Sequence, residues 1–215
     1  NTIANATPKD LNALVNVHMH GMMATSHFAA LHWKDRGEYG RLINFTSDSG
    51  MLGVPDTFTY AMAKAGITGL TRAAANALVG YNVTANCLTQ GSHTRMSDDY
   101  NVEDATKYHQ KTGHWPHEDA TPERKPDNVA PLVTYLSSPQ AANITGRIFG
   151  SYGYRYLRWS EPTHERVLLS DGPWDLDRLF AEFPQTLGEG LSVDALPFPM
   201  ENLEKIVRVG TGDLT

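Results

Sequence analysis

Residues 40–78 read GRLINFTSDSGMLGVPDTFTYAMAKAGITGLTRAAANAL, and their order of patterns decides the fold. Residues 41–46 form a short apolar run after Gly40, closed by Ser-Asp-Ser-Gly; such a run suits a buried strand of a parallel sheet. The next stretch, SDSGMLGVPDT, is rich in glycine and turn formers and reads as a loop. From about Thr57 to Val79 small and apolar residues recur at helical spacing, with Gly80 placed to cap the end. Strand, loop and helix in that order are one step of an α/β fold.

The same alternation continues on both sides. Upstream, Leu11, Leu14, Val15, Met19, Met22 and Met23 recur at three- and four-residue steps, predicting one long amphipathic helix from Thr7 or Pro8 to Gly37. Downstream, residues 82–88 (NVTANCL) form a second strand candidate, followed by the loop TQGSHTRM. Residues 97–126 are polar and interrupted by Gly113, Pro116, Pro122 and Pro126. A helix capped by Asp127 or Asn128 runs to Leu136, and residues 144–150 (ITGRIFG) are the third strand candidate. Beyond Gly150 the character changes: aromatics and arginines alternate, DGPWDLDRLFAEF offers one helix, and the remainder is punctuated by proline and glycine.

Composition sets the outer bounds. The 215 residues are 40% hydrophobic and 20% charged with a net charge of −6, enough for a globular core. The acidic balance and scattered basic residues give no reason to expect nucleic acid or an anionic membrane as partner. No apolar run approaches the roughly 18 residues of a membrane helix. Cys87 is the only cysteine, so no internal disulfide can form, and a reducing, cytoplasmic setting is the simplest expectation. The histidines of HWPH (114–117) lack a carboxylate or cysteine at ligand spacing, so no metal is expected.

The chemistry-bearing residues cluster around the opening stretch. Ser47 stands just past the carboxyl end of the first strand, where ligands of open α/β sheets sit. Tyr60 follows thirteen residues later, and Lys64, one helical turn on, shares its face. A phenol titrates near ~10, and a neighbouring ammonium favours the phenolate and brings it towards useful proton transfer. A serine hydroxyl can hold a substrate carbonyl beside that phenol. Such a set interconverts an alcohol and a ketone if a hydride carrier is present.

The strand, Ser47, the loop, Tyr60-x-x-x-Lys64 and AGITGLTRAAANAL match, in order, the catalytic segment of the short-chain dehydrogenase/reductase family, and the chain resembles that family over about residues 5–150. The resemblance implies a Rossmann-like doubly wound parallel sheet, NAD or NADP as cofactor, and a homo-dimer or homo-tetramer. NVTANCLTQGSHTRM is similar to the family segment that meets the nicotinamide end. Gly91 and Thr94 keep its pattern, Gln90 replaces its usual proline, and His93 occupies a position that contacts cofactor through the main chain. In VNVHMHG, counting back from Gly21 places His18, not Asn16, where the family has its relay asparagine. A histidine there resembles the branch containing the dehydrogenase domain of the peroxisomal multifunctional β-oxidation enzyme and related actinobacterial proteins.

The family's glycine-rich turn and its NNAG segment have no counterpart in the sequence, so the N-terminal strands are expected to be missing from this chain. Residues 1–150 then form the later part of the domain, and 151–215 a C-terminal extension serving as lid or subunit contact. Two functions stay open: an NAD(P)-dependent oxidoreductase using Ser47, Tyr60, Lys64 and His18, or a non-catalytic relative unable to hold a dinucleotide.

Overall fold

The computed structural model describes residues 1–99 and 102–192. Contacts divide the described residues into two units, the first Asn1–Glu161 and the second beginning at Pro162. The first is an α/β layer structure built on a four-stranded sheet of order β1-β2-β3-β4. Strands β1 (Gly40–Phe45), β2 (Val83–Gly91) and β3 (Ile148–Tyr152) are parallel, and β4 (Arg155–Arg158) returns antiparallel to β3.

Central strand β2 is buried from Val83 to Thr89, as expected of a strand covered on both faces. Successive side chains point to opposite faces. Cys87 joins Ile67, Ile148, Met22, Met51 and Trp159 on one side, while Leu88 joins Leu136, Ala141, Ile43 and Phe45 on the other. Burial pushes the Cys87 thiol up to about 11, which makes the single cysteine an inert core residue.

The N-terminal helix begins where the sequence indicates. Thr7 caps α1 (Pro8–Leu14) with Asp10 in a reciprocal capping box, and Pro8 occupies the first turn. The helix is not one regular α-helix, however. Residues Val15–His20 widen into a π turn before α2 (Gly21–Arg36), which ends at Gly37 in the left-handed region.

Four further expectations are corrected. The loop after β1 contains a short helix, α3 (Asp48–Leu52), because Ser47 caps its start and left-handed Gly53 closes it. Helix α4 (Phe58–Leu78) is capped not by Gly80 but through a 3-10 turn and Asn82, which has φ +59°. Strand β2 extends to Gly91, so Gln90 and Gly91 belong to the sheet rather than to a loop. The third strand starts at Ile148, not Ile144: the Asn86 amide N–H donates to the Ile144 carbonyl (2.7 Å) and its oxygen accepts the Arg147 N–H (3.0 Å), and Gly146 turns the chain at φ +71°.

The polar stretch is also more ordered than its composition implies. It holds α5 (Arg95–Asp98) and α6 (Val102–Thr112), which is stopped by Gly113 at φ +80°. Asn128 does not cap α7 (Ala130–Ser137); its amide donates to the carbonyls of Pro122, Glu123 and Lys125. The anticipated boundary at residue 150 falls inside β3. Glu161, at the end of the first unit, pairs with Arg72 at 3.2 Å and Arg147 at 3.5 Å. The second unit contains the anticipated helix, α8 (Leu176–Glu182), capped by Asp175. Residues 193–215 of the anticipated extension lie outside the described residues. Among the described residues no helix is long and apolar enough to cross a membrane.

Candidate active site

The carboxyl end of β1 and the first turns of α4 are bound together by short contacts. Gly50 permits the approach: a Cβ there would lie 2.7 Å from the Ala65 nitrogen and 2.8 Å from the Lys64 Cβ. The buried Thr46 hydroxyl donates to the Lys64 carbonyl at 2.7 Å, and the Lys64 ammonium donates to the Phe45 carbonyl at 3.1 Å. The end of the strand therefore fixes both main chain and side chain of Lys64. Ser47 comes directly after Thr46, and its Oγ accepts the Ser49 N–H at 3.2 Å.

Tyr60 lies one turn before Lys64, with the ammonium 5.5 Å from its ring centroid. Lys64 is 7% exposed. Its burial holds the ammonium below the ordinary lysine value, with the nearby Cys87 acting in the opposite direction. A second neighbour of Tyr60 is His18, whose ring meets it edge-on, 5.8 Å between centroids. Burial, and then the charge of Lys64, hold His18 below the ordinary histidine value, so it is a neutral imidazole near pH 7. Asn16 is exposed. The π turn that presents His18 is a departure from regular helix of the kind often found at functional sites.

The β2 segment lies beside this cluster through the β1–β2 pairing. Gln90 and Gly91 are exposed at the strand end, and the Gln90 side chain accepts the Ser92 hydroxyl at 2.8 Å. Thr94 caps α5 with Ser97. The His93 N–H donates to the Arg124 carbonyl at 2.7 Å, and its ring stands 3.3 Å from Asp98. His117 of the HWPH sequence holds the other Asp98 oxygen at 2.5 Å. Burial works against the Asp98 carboxylate, but the His117 hydrogen bonds outweigh it and the group stays below the usual carboxylate range. Among the described residues no cluster of three or more His, Cys, Asp or Glu side chains is placed to hold a metal ion.

Sequence spacing thus locates Ser47, Tyr60, Lys64 and His18, and the structure brings the last three into one cluster beside the turn that carries Ser47. Spacing does not reveal the Thr46 hydroxyl or the Phe45 carbonyl, whose roles come from backbone proximity. Nor does it reveal Asp48, whose carboxylate accepts the Tyr152 hydroxyl from the end of β3. The acidic residue next to Ser47 was the only sequence signal for that contact.

Comparison with known proteins places this geometry in a family. The profile described as Enoyl-(Acyl carrier protein) reductase matches residues 1–151. Hydroxyacyl-CoA dehydrogenase ChsB1 of Mycobacterium tuberculosis is 34% identical over 82% of this chain and 56% of its own. The crystal structure of a short chain dehydrogenase from Mycobacterium avium superposes with TM-score 0.70 at 29% identity, covering 87% of this chain and 60% of that one. The full-length peroxisomal multifunctional enzyme type 2 of Drosophila melanogaster shares the fold at TM-score 0.65 and 21% identity, over 86% of this chain and 31% of that one. The chain spans a little over half the length of the curated relatives it matches. With a family profile covering residues 1–151 and this fold beneath it, the chain belongs to the short-chain dehydrogenase/reductase family.

Proposed function

We propose that this chain carries the proton-transfer site of an NAD- or NADP-dependent oxidoreductase that interconverts a secondary alcohol and a ketone. One observation carries the reading: a buried ammonium, Lys64, stands beside the Tyr60 ring, and the His18 ring meets the same ring edge-on. In this reading Tyr60 gives its proton to the carbonyl oxygen during reduction and takes it back during oxidation. Lys64 favours the phenolate that remains, because its charge is close and poorly hydrated. The Ser47 hydroxyl donates to the same carbonyl oxygen and fixes its distance from the phenol. His18 returns protons to the cluster, since a neutral imidazole both donates and accepts.

The residues present fit the nicotinamide end of a dinucleotide. An ammonium carries three donors, of which one meets the Phe45 carbonyl, so Lys64 is our candidate to meet the ribose hydroxyls beside Tyr60. Gln90, Gly91, His93 and Thr94, at the carboxyl end of the adjacent strand, are our candidates for the nicotinamide itself. Hydride transfer is the chemistry that such a nucleotide supplies when bound.

For substrate we favour a hydroxyacyl or oxoacyl thioester, on the strength of the ChsB1 likeness. Exposed apolar side chains on the helices, among them Val17, Phe28, Leu31 and Met62, support a homo-dimer or homo-tetramer.

The test is calorimetric titration with NADH and NADPH, followed by turnover of acyl-CoA ketones. Tyr60→Phe should lower kcat by about 100-fold or more while nucleotide affinity stays near wild type. Retained turnover in that variant would remove Tyr60 from the proton-donor role, and absence of nucleotide binding would favour the non-catalytic reading.

A further inference from the structure

The carboxyl end of the sheet carries a second polar assembly, built from residues far apart in sequence. Tyr152, the last residue of β3, pairs in register with Gly91 on one side and Arg155 on the other. Its ring lies where side chains of two glycines would be. A Cβ at Gly91 would come within 2.7 Å of the ring, and one at Gly150 within 2.6 Å. The ring therefore lies along the strand ends, with the Arg155 guanidinium 5.6 Å from its centroid.

That placement brings the hydroxyl into a chain with one direction. A carboxylate only accepts, so the Tyr152 O–H donates to Asp48. The phenol oxygen then accepts from the fully buried Thr89 hydroxyl, 2.5 Å away. Thr89 in turn accepts the Trp159 indole N–H at 3.2 Å. Burial first, and the bond to Asp48 next, keep the phenol well above its ordinary value, so it stays a neutral donor. Hydrogen bonds aligned this way reinforce each other.

The chain ends one residue from Ser47. Asp48 opens the short helix that Ser47 caps, and that helix is only five residues long, its ends tied by Ser49 N–H to Ser47 Oγ and Gly53 N–H to the Ser49 carbonyl at 3.0 Å. A helix this short does not persist on its own hydrogen bonds. We propose that Tyr152 is a positioning residue: its hydroxyl anchors the Asp48 carboxylate and so fixes the turn that presents the Ser47 hydroxyl. Thr89 and Trp159 orient the Tyr152 hydroxyl. The inference rests on the serine role proposed above only for its effect on turnover.

Tyr152→Phe is the sharp variant, because it keeps the ring in its glycine slot and removes one oxygen. In the protein without ligands, amide hydrogen exchange at Ser49, Gly50 and Gly53 should speed up by about tenfold, while amides of β2 stay unchanged. In turnover, kcat should fall about tenfold with KM for the nucleotide unchanged. Asp48→Ala should match it, Asp48→Asn should restore most of the rate because its amide oxygen still accepts, and the double variant Tyr152→Phe/Asp48→Ala should be no worse than either single one. Unchanged exchange in the short helix would overturn the proposal. So would a lowered Tm with kcat intact, provided Ser47→Ala is itself impaired. If Ser47→Ala turns over normally, the serine role fails instead, and the exchange measurement alone decides the role of Tyr152.

Discussion

Helices α2 and α4 are 16 and 21 residues long, and both look amphipathic in sequence, yet they use their apolar residues in opposite ways. Helix α4 buries Thr59, Ala63, Lys64, Ile67, Thr68, Thr71, Ala75 and Leu78, one or two in each turn, against β2 and the neighbouring helices. Helix α2 buries only Ser26 and leaves Met23, Phe28 and Leu31 half or more exposed. The difference teaches that a stripe of apolar residues fixes a helix but not its partner. What separates the two is the run of small residues on α4. Ala63, Gly66 and Ala75 allow neighbours close, as Met19 shows by lying where a Cβ of Gly66 would be. The chemistry follows the packing, since Lys64 belongs to the helix whose backbone the strand end can grip.

The largest effect that could break this contrast is a pair of truncations. Ile67→Ala should cost about 2–5 kcal/mol, because the side chain is fully buried between Cys87 and Ile148. Leu31→Ala, at 52% exposure, should stay within about 0.5 kcal/mol in the monomeric chain. Urea unfolding of both variants checks the pair, and equal losses would show that α2 is buried in solution.

Two glycines of the same neighbourhood sharpen the point. Gly50→Ala should destabilise by about 1–3 kcal/mol, since its Cβ would press on the backbone of α4 at Ala65. Gly69→Ala, in α4 with nothing within 4 Å of its Cβ, should stabilise by about 0.5–1 kcal/mol. Thermal melts of the two should shift in opposite directions. Gly50→Ala should also lower kcat, whereas Gly69→Ala should leave it unchanged.

The smallest effect concerns the contact between the two helical regions. His18 titrates below its unfolded value, so the unfolded chain binds the proton first as pH falls. Its contribution to stability is fully present above the unfolded value of about 6.5 and is lost as pH falls through the folded one. The difference in unfolding midpoint between wild type and His18→Gln should therefore change between pH 8 and pH 5, with wild type losing ground on acidification. A constant difference would mean that His18 is hydrated and not packed against Tyr60.

Much of this is legible in the sequence. The helix start at Thr7, its end at Gly37, strand β1 and helix α4 follow from caps, turn residues and periodicity, all of which act within a few residues. His18 could be chosen over Asn16 by counting from Gly21, although the π turn that makes the choice work was not visible. The loop after β1 concealed a helix because only five residues are helical. The end of β2 was misplaced because Gln90 and Gly91 look like turn residues, and only pairing with Ser151 and Tyr152 makes them strand. Strand β4 is hidden in the sequence because it is four residues long and leaves Arg155, Tyr156 and Arg158 exposed at the sheet edge.

By itself the sequence determined which residues could do proton chemistry and in what order they stand, because Ser47, Tyr60 and Lys64 are placed by one strand, one turn and one helix. Only the tertiary structure decided what holds them. The grip of Thr46 and Phe45 on Lys64 spans 18 and 19 residues, and Tyr152 reaches Asp48 across 104. Hydrogen bonds at such separations depend on which strands become neighbours and on where a glycine leaves room for a ring, and neither is written in local pattern.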